Sequence, residues 1–328
     1  MTSPSDIQQI IGNCLQDVSF SQLPNHEQGK VRDSYSLEDG RRVMISSDRQ
    51  SAFDQVLSAV PYKGQVLNQV AQFWFEQTED ICPNHIIEIP DPNVVIAKNL
   101  EMLPIEMVVR AYMTGSTETS IWPMYQRGER MLYGHAFPDG LVKNQKLPKT
   151  VITPTTKAAQ GAHDAPITAS QILENNILTE AQWAEVSTKS LALFARGQEI
   201  AARNGLILVD TKYEFGLDEK GVITIADEIH TPDSSRYWIE ATYAGRLAEG
   251  KEPESLDKEF LRLWIAARCD PYKDPIPEIP AETLIEFSTK YIQLYEQITG
   301  RKFQKPGLEK PVKDRIAKNL KTALPDYF

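Results

Sequence analysis

Apolar residues change their period several times along this chain, and each change marks an element. Val66, Val70, Phe73 and Trp74 recur at helical spacing and predict a helix over 65–78. Segments 30–37 and 42–47 read as strands joined by a turn at Glu38-Asp39-Gly40, and two more strands are expected at 85–89 and 94–100. The short apolar run 104–109 fits either a strand or a linker between lobes. Thr179-Glu180-Ala181-Gln182 has the form of a capping box, opening a helix that runs to about Arg203 and stops at Asn204-Gly205. Further helices are expected around 7–15, over 256–268 and over 281–298, the last two separated by prolines 271, 275, 277 and 280. Residues 113–170, rich in Gly, Pro, Thr and Lys, show little periodicity and read as a long binding loop. This order predicts an α+β (two-lobed α/β) chain: a β-rich lobe at 1–107 and an α/β lobe at 108–328 with C-terminal helices.

The most informative stretch is 206–238, LILVDTKYEFGLDEKGVITIADEIHTPDSSRYW, which reads as a hairpin whose apolar runs end in Asp210, Lys212, Glu214, Asp227 and Glu228. Unpaired buried charge is costly, so such groups pair, bind a metal or face a cleft. Side chains alternate along a strand, which places Asp210, Lys212 and Glu214 on one face. At ~3.3 Å per residue, Asp210 and Glu214 lie about 13 Å apart, too far to share one ion. Neighbouring strands are only about 4.8 Å apart, so Asp227 across the hairpin is the better partner for Glu214. Magnesium is commonly held by one or two carboxylates plus phosphates, a role that Glu214 and Asp227 fit. A solvated face carrying cross-strand ion pairs fits the same pattern.

Other segments carry weaker chemistry. Gly29-Lys30-Val31-Arg32-Asp33 precedes a strand; a glycine turn lets backbone approach a phosphate, with Lys30 and Arg32 on one face, although an exposed turn reads the same way. No GxxxxGK[ST] pattern is present. Arg110, followed by Gly115-Ser116, suits a bidentate clamp on phosphate or carboxylate with Ser116 as a second donor, or a surface arginine before a turn. Ser47-Asp48-Arg49-Gln50-Ser51-Ala52-Phe53-Asp54 follows a strand, where ligand binding and helix capping both account for it. Thr153-Pro154-Thr155-Thr156-Lys157 and His163-Asp164 lie in the long loop, and the latter pair is not a triad signature. Arg236, after Asp233-Ser234-Ser235, suits an anionic substrate or a surface ion pair. There is no HExxH, nucleophile elbow or kinase catalytic loop.

Composition narrows the field. The 328 residues, 41% hydrophobic, suffice for two lobes, and a net charge of −10 argues against non-specific binding to nucleic acid or anionic membranes. The three cysteines, Cys14, Cys82 and Cys269, have no metal-ligand spacing and read as reduced thiols of a cytoplasmic protein. No signal peptide or membrane-spanning run is evident.

Taken in order, GKVRDSY, SDRQSAFD, VVRAYMTGS, TPTTKAAQGAHD, GLILVDTKYEFG and ADEIHTPDSSRYW, spanning about residues 29–238, resemble the phosphoribosylaminoimidazole-succinocarboxamide synthase (SAICAR synthetase) family. The resemblance implies an ATP-dependent ligase of purine synthesis that joins CAIR, a carboxylated aminoimidazole ribonucleotide, to L-aspartate through an acyl phosphate, releasing ADP and phosphate. Its implied fold is a kinase-like N-terminal antiparallel β lobe and a larger α/β lobe, with ATP in the cleft between them. Its implied roles are ATP binding for Lys30, Arg32 and Lys157, with Glu106 and Val108 offering backbone groups to adenine where the lobes meet. Glu214 and Asp227 would hold Mg2+, while Arg110, Ser116 and Arg236 would bind CAIR, with Asp210 and Lys212 at the chemistry. Ser51 and Asp54 are further substrate contacts. Another ATP-dependent kinase or ligase on the same scaffold, or a non-catalytic nucleotide-binding protein, is the alternative.

Overall fold

The computed structural model describes residues 11–53, 55–157, 165–306 and 310–328. Asp54, the His163-Asp164 pair and residues 7–10 of the helix expected over 7–15 therefore lie outside the described residues; over 11–15 the chain forms a short 3-10 turn at Ile11–Asn13 and no α-helix. The chain is mixed α+β, with antiparallel strand pairing throughout its sheets.

It divides into two compact units, one formed by 1–73, 85–99 and 260–328, the other by 74–84 and 100–259. The first contains strands β1 (His26–Gln28), β2 (Arg32–Ser36), β3 (Arg41–Ser46), β4 (Arg49–Ala52), β5 (Gln55–Ala59), β6 (Ile86–Asp91) and β7 (Val94–Lys98). Five form a sheet in the order β1-β2-β3-β7-β6, while β4 and β5 form a separate hairpin. The SDRQSAFD segment is thus partly a strand, not the loop its polarity suggested, and Ser51 sits on β4 opposite Val56. Buried Tyr35, Val43, Ile45, Val94 and Ile96 share a core with Ile316, Leu320 and Leu324. That core corrects the expected domain assignment: the C-terminal helices pack with the N-terminal strands, because the apolar face of helix Val312–Ala323 is buried there.

The second unit contains β8 (Glu101–Tyr112), β9 (Met131–Leu132), β10 (His135–Ala136), β11 (Lys146–Ile152), β12 (Thr155–Thr156), β13 (Leu206–Leu217), β14 (Ile223–Ala226) and β15 (Ser235–Ile239). Its main sheet runs β11-β8-β13-β14, with β12 also on β8 and β15 also on β13. The run 104–109 is therefore strand, and the boundary expected at 107/108 falls inside one continuous element; the units divide at Asn99/Leu100 instead. The described residues of segment 113–170 are also more ordered than expected, holding helix Ile121–Gln126, the start of helix Ala169–Glu174 and four short strands. Elements this short leave too few residues for a period to be legible. Thr179 caps helix Glu180–Arg203 as read, its hydroxyl accepting from the Gln182 amide at 3.2 Å and its amide donating to the Gln182 side chain at 2.9 Å.

Candidate active site

Register on the main sheet of the second unit builds the site. Opposite residues of antiparallel strands share a face. Asp210 on β13 is paired with Arg110 on β8 and with Arg236 on β15, so one row reads Arg-Asp-Arg. Two residues further along, Lys212 faces Val108, and two beyond that Glu214 faces Glu106. With a period of two, Asp210, Lys212 and Glu214 lie on one face, as the alternation predicted.

The first row is a buried ion-pair network. Arg236 Nη1 donates to Asp210 Oδ2 at 2.6 Å, and Arg110 Nη1 lies 3.5 Å from the same oxygen. Arg236 also donates through Nη2 to Glu259 Oε2 at 3.1 Å, and Arg110 through Nε to Thr153 Oγ1 at 2.8 Å. Burial opposes the charge on Arg236, but Asp210, Glu259 and Asp257 outweigh it and hold this guanidinium above its ordinary range. For Arg110 burial wins over the attraction of Asp210, and its pKa is lowered. Burial also pushes Asp257 up to about 7, although its carboxylate accepts from the amides of Tyr237 and Glu259, both at 2.7 Å. Gly115, at φ +111, brings its backbone close: a Cβ there would meet the Ser120 side chain at 2.3 Å and Arg236 Nη2 at 3.5 Å. The neighbouring Ser116 hydroxyl is buried and makes no hydrogen bond to the described residues.

The second cluster gathers around one ammonium. Lys212 Nζ contacts Glu214 and lies 3.3 Å from Glu106 Oε1 and 3.7 Å from Asp227 Oδ2. Lys157 Nζ reaches the other oxygen of Glu214 at 2.5 Å, and Thr155 Oγ1 donates to Glu106 at 2.9 Å. Burial disfavours the Lys212 charge, yet Glu214, Glu106 and Asp227 together hold its pKa well above the ordinary lysine value. Glu214 is lowered, since Lys212 and Lys157 outweigh burial and the repulsion of Asp227. The surrounding carboxylates thus favour the ammonium form of Lys212, which suits charge neutralisation.

Glu214 and Asp227 do converge, but by a different route from that expected. Ala226 stands opposite Glu214, one residue short of Asp227. Asp227 lies just past the strand end with φ +62, and both carboxylates reach Lys212 Nζ. Glu106 and Val108 lie inside β8 of the second unit, where the Val108 carbonyl accepts from the Thr153 amide at 2.8 Å. Lys30, Arg32 and Ser51 belong to the first unit. Sequence reasoning gave no role to Glu259, Thr153 or Thr155. The two threonines lie in the Thr-rich segment already singled out, whereas nothing local marks Glu259 as a partner of Arg236.

An antiparallel α+β fold presenting an arginine–carboxylate network and a carboxylate–lysine cluster side by side on one sheet face has the chemistry of a site for charged small molecules. The SAICAR synthetase family model matches residues 25–279. A phosphoribosylaminoimidazole-succinocarboxamide synthase of Legionella pneumophila is 54% identical over 94% of this chain and 97% of its own length. Among solved structures, SAICAR synthase from Saccharomyces cerevisiae complexed with SAICAR matches with a TM-score of 0.76 and 29% identity, covering 89% of this chain and all of that one. A type-2 SAICAR synthetase in complex with ADP matches with a TM-score of 0.66 and 25% identity, over 86% of this chain and all of that one. The chain belongs to the SAICAR synthetase family, enzymes of purine biosynthesis.

Proposed function

We propose that the chain condenses CAIR with L-aspartate at the expense of ATP, with the two clusters of the β8–β13 sheet dividing the work. A carboxylate is a poor acyl donor. In the reaction a CAIR carboxylate oxygen attacks the γ-phosphorus and ADP leaves, giving an acyl phosphate. The aspartate amine then attacks the carbonyl carbon, the carbon–oxygen bond to phosphate breaks, and the amine proton is lost as the amide forms. The observation that carries this reading is the register: anion-binding Arg110 and Arg236 lie one strand repeat from Lys212, and two from Glu214. That spacing suits a substrate whose anionic group is held at one end while its carboxylate meets a phosphoryl group at the other.

In this reading Arg110, Arg236 and the Ser116 hydroxyl hold CAIR, and Asp210 keeps the two guanidinium groups oriented. Lys212 stabilises charge on the transferring phosphoryl group, and Lys157 supports the nucleotide beside Glu214. Lys30 and Arg32 contact the nucleotide phosphates. Glu106 contributes through its side chain; the strand bonding of Val108 leaves its carbonyl less suited to adenine. Ser51 and Asp54 remain assigned to substrate. Among the described residues no group of three or more His, Cys, Asp or Glu side chains is arranged to hold a metal ion. Glu214 and Asp227 nevertheless offer hard oxygen donors that converge on one cation, which fits magnesium held by two carboxylates plus phosphate oxygens. Bound there, magnesium would neutralise phosphate charge. Among the described residues no helix is long and apolar enough to cross a membrane, and a cytoplasmic location fits the cysteine usage.

The deciding experiment measures ADP release with each substrate omitted in turn. Steady-state ADP release is expected only when CAIR and aspartate are both present; an equal steady-state rate without aspartate would replace the ligase reading with that of a kinase.

A further inference from the structure

The Gly29–Arg32 turn is held from one side by the segment that follows β3. Gly29 N–H donates to the Arg32 carbonyl at 2.9 Å, and a Cβ at Gly29 would lie 2.4 Å from that oxygen, so the turn needs glycine there. The Ser47 amide donates to the Val31 carbonyl at 3.0 Å, and its hydroxyl donates to the same oxygen. Arg49 takes the remaining two carbonyls: its Nη2 donates to Gly29 O at 3.1 Å and its Nε to Lys30 O at 3.4 Å. The same guanidinium donates to Gln16 O at 2.6 Å and to the carboxylate of Asp33. Asp33 in turn accepts from His26 at 2.7 Å, a ring stacked on Tyr35 with centroids 4.8 Å apart. Arg49 and Asp33 are both buried, at 7% and 1% exposure, so this is a fixed scaffold rather than a surface contact.

All four carbonyls of residues 29–32 are therefore occupied. In a planar trans peptide the C=O and N–H point in opposite directions. With the carbonyls of Gly29 and Lys30 drawn toward Arg49, the amides of Lys30 and Val31 point away from it. A turn whose acceptors are consumed on one side directs its Lys30 and Val31 amides to the other, the polarity that a backbone anion site requires.

We propose that Arg49, assisted by Ser47, is a positioning residue for the nucleotide: it holds the carbonyl side of the Gly29–Arg32 turn so that the opposite amide face meets the phosphates. The inference rests on the reading of this turn as a nucleotide-phosphate site. Arg49 acts through the backbone and does not itself touch the nucleotide.

The test separates the Michaelis constants. Arg49→Lys keeps a cation beside Asp33 but lacks the planar fork that bonds two carbonyls and a carboxylate together. It is expected to raise the KM for ATP about tenfold while leaving those for CAIR and aspartate within about twofold. Ser47→Ala, which keeps the amide bond to Val31, should raise the ATP KM by a smaller factor and serves if Arg49→Lys does not fold. Lys30→Ala tests the underlying reading. If it weakens ATP while both Arg49→Lys and Ser47→Ala leave the ATP KM unchanged, the positioning role is overturned and the phosphate site stands. If Lys30→Ala also leaves ATP binding unchanged, as checked by calorimetric titration with ADP, the turn is not a phosphate site and the proposal falls with it. A lowered melting temperature with all three KM values unchanged would mean that Arg49 is structural only, and would overturn the proposal.

Discussion

Asp210 and Arg236 stand opposite one another on antiparallel strands and close a 2.6 Å hydrogen bond in the interior of the second unit. The carboxylate lies between two guanidinium groups, and only 3% of Asp210 is exposed. Removing it leaves two buried cations with less than their complement of negative charge. Asp210→Ala is expected to lower stability by about 3–5 kcal/mol, as for other broken buried pairs. Asp210→Asn, which retains one oxygen for Arg236, should cost less. Urea unfolding measures both. Where the variants fold, the KM for CAIR should rise more than that for ATP, since the freed arginines lose their orientation. An Asp210→Ala protein with unchanged urea midpoint and CAIR dependence would remove this network from both roles.

Glu214 and Asp227 give a second prediction. Both reach Lys212, and Glu214 is also bound by Lys157. Glu214→Gln and Asp227→Asn keep the shapes while removing a charge. Each should lower turnover by about 100-fold or more, on the scale of losing one strong electrostatic contact in a transition state. Each should also raise the magnesium concentration needed for half-maximal rate. Titrating the rate with magnesium at saturating ATP distinguishes this from a fold defect, which leaves the half-saturation point in place. Wild-type magnesium dependence in both variants would exclude them as ligands.

How much of this was legible beforehand depends on range along the chain. The common face of Asp210, Lys212 and Glu214 follows from strand alternation alone, and the Thr179–Gln182 capping box from four adjacent residues. The approach of Asp227 to Glu214 needed a cross-strand register that local sequence does not fix; the observed register pairs Glu214 with Ala226, and the left-handed backbone at Asp227 completes the convergence. The partnership of Arg236 with Glu259 and the packing of Ile316 and Leu320 against Val43 and Ile45 depend on tertiary contacts that no local pattern encodes. Arg49 was hidden for a different reason: it sits on a polar strand whose composition resembles a loop, and its partners are mostly backbone carbonyls, which carry no sequence signature.

His230 supplies a prediction independent of catalysis. Its ring is fully buried, edge-on to Trp74 with centroids 4.7 Å apart, and one nitrogen meets the Tyr213 hydroxyl. The other, Nδ1, has no hydrogen-bond partner among the described residues. Gly197 makes room for it: a Cβ there would stand 2.5 Å from His230 Cε1 and 2.9 Å from Nδ1. Burial lowers the pKa of His230 from 6.5 to about 3. Between those values the unfolded chain binds a proton that the folded chain refuses, so stability rises with pH across this window and is lost as pH falls from about 6.5 toward 3. The loss should reach a few kcal/mol by pH 4. His230→Gln cannot take up that proton, and its urea midpoint should vary less between pH 7 and pH 4 than that of the wild type. Equal acid dependence in the two proteins would show that His230 is not the group responsible.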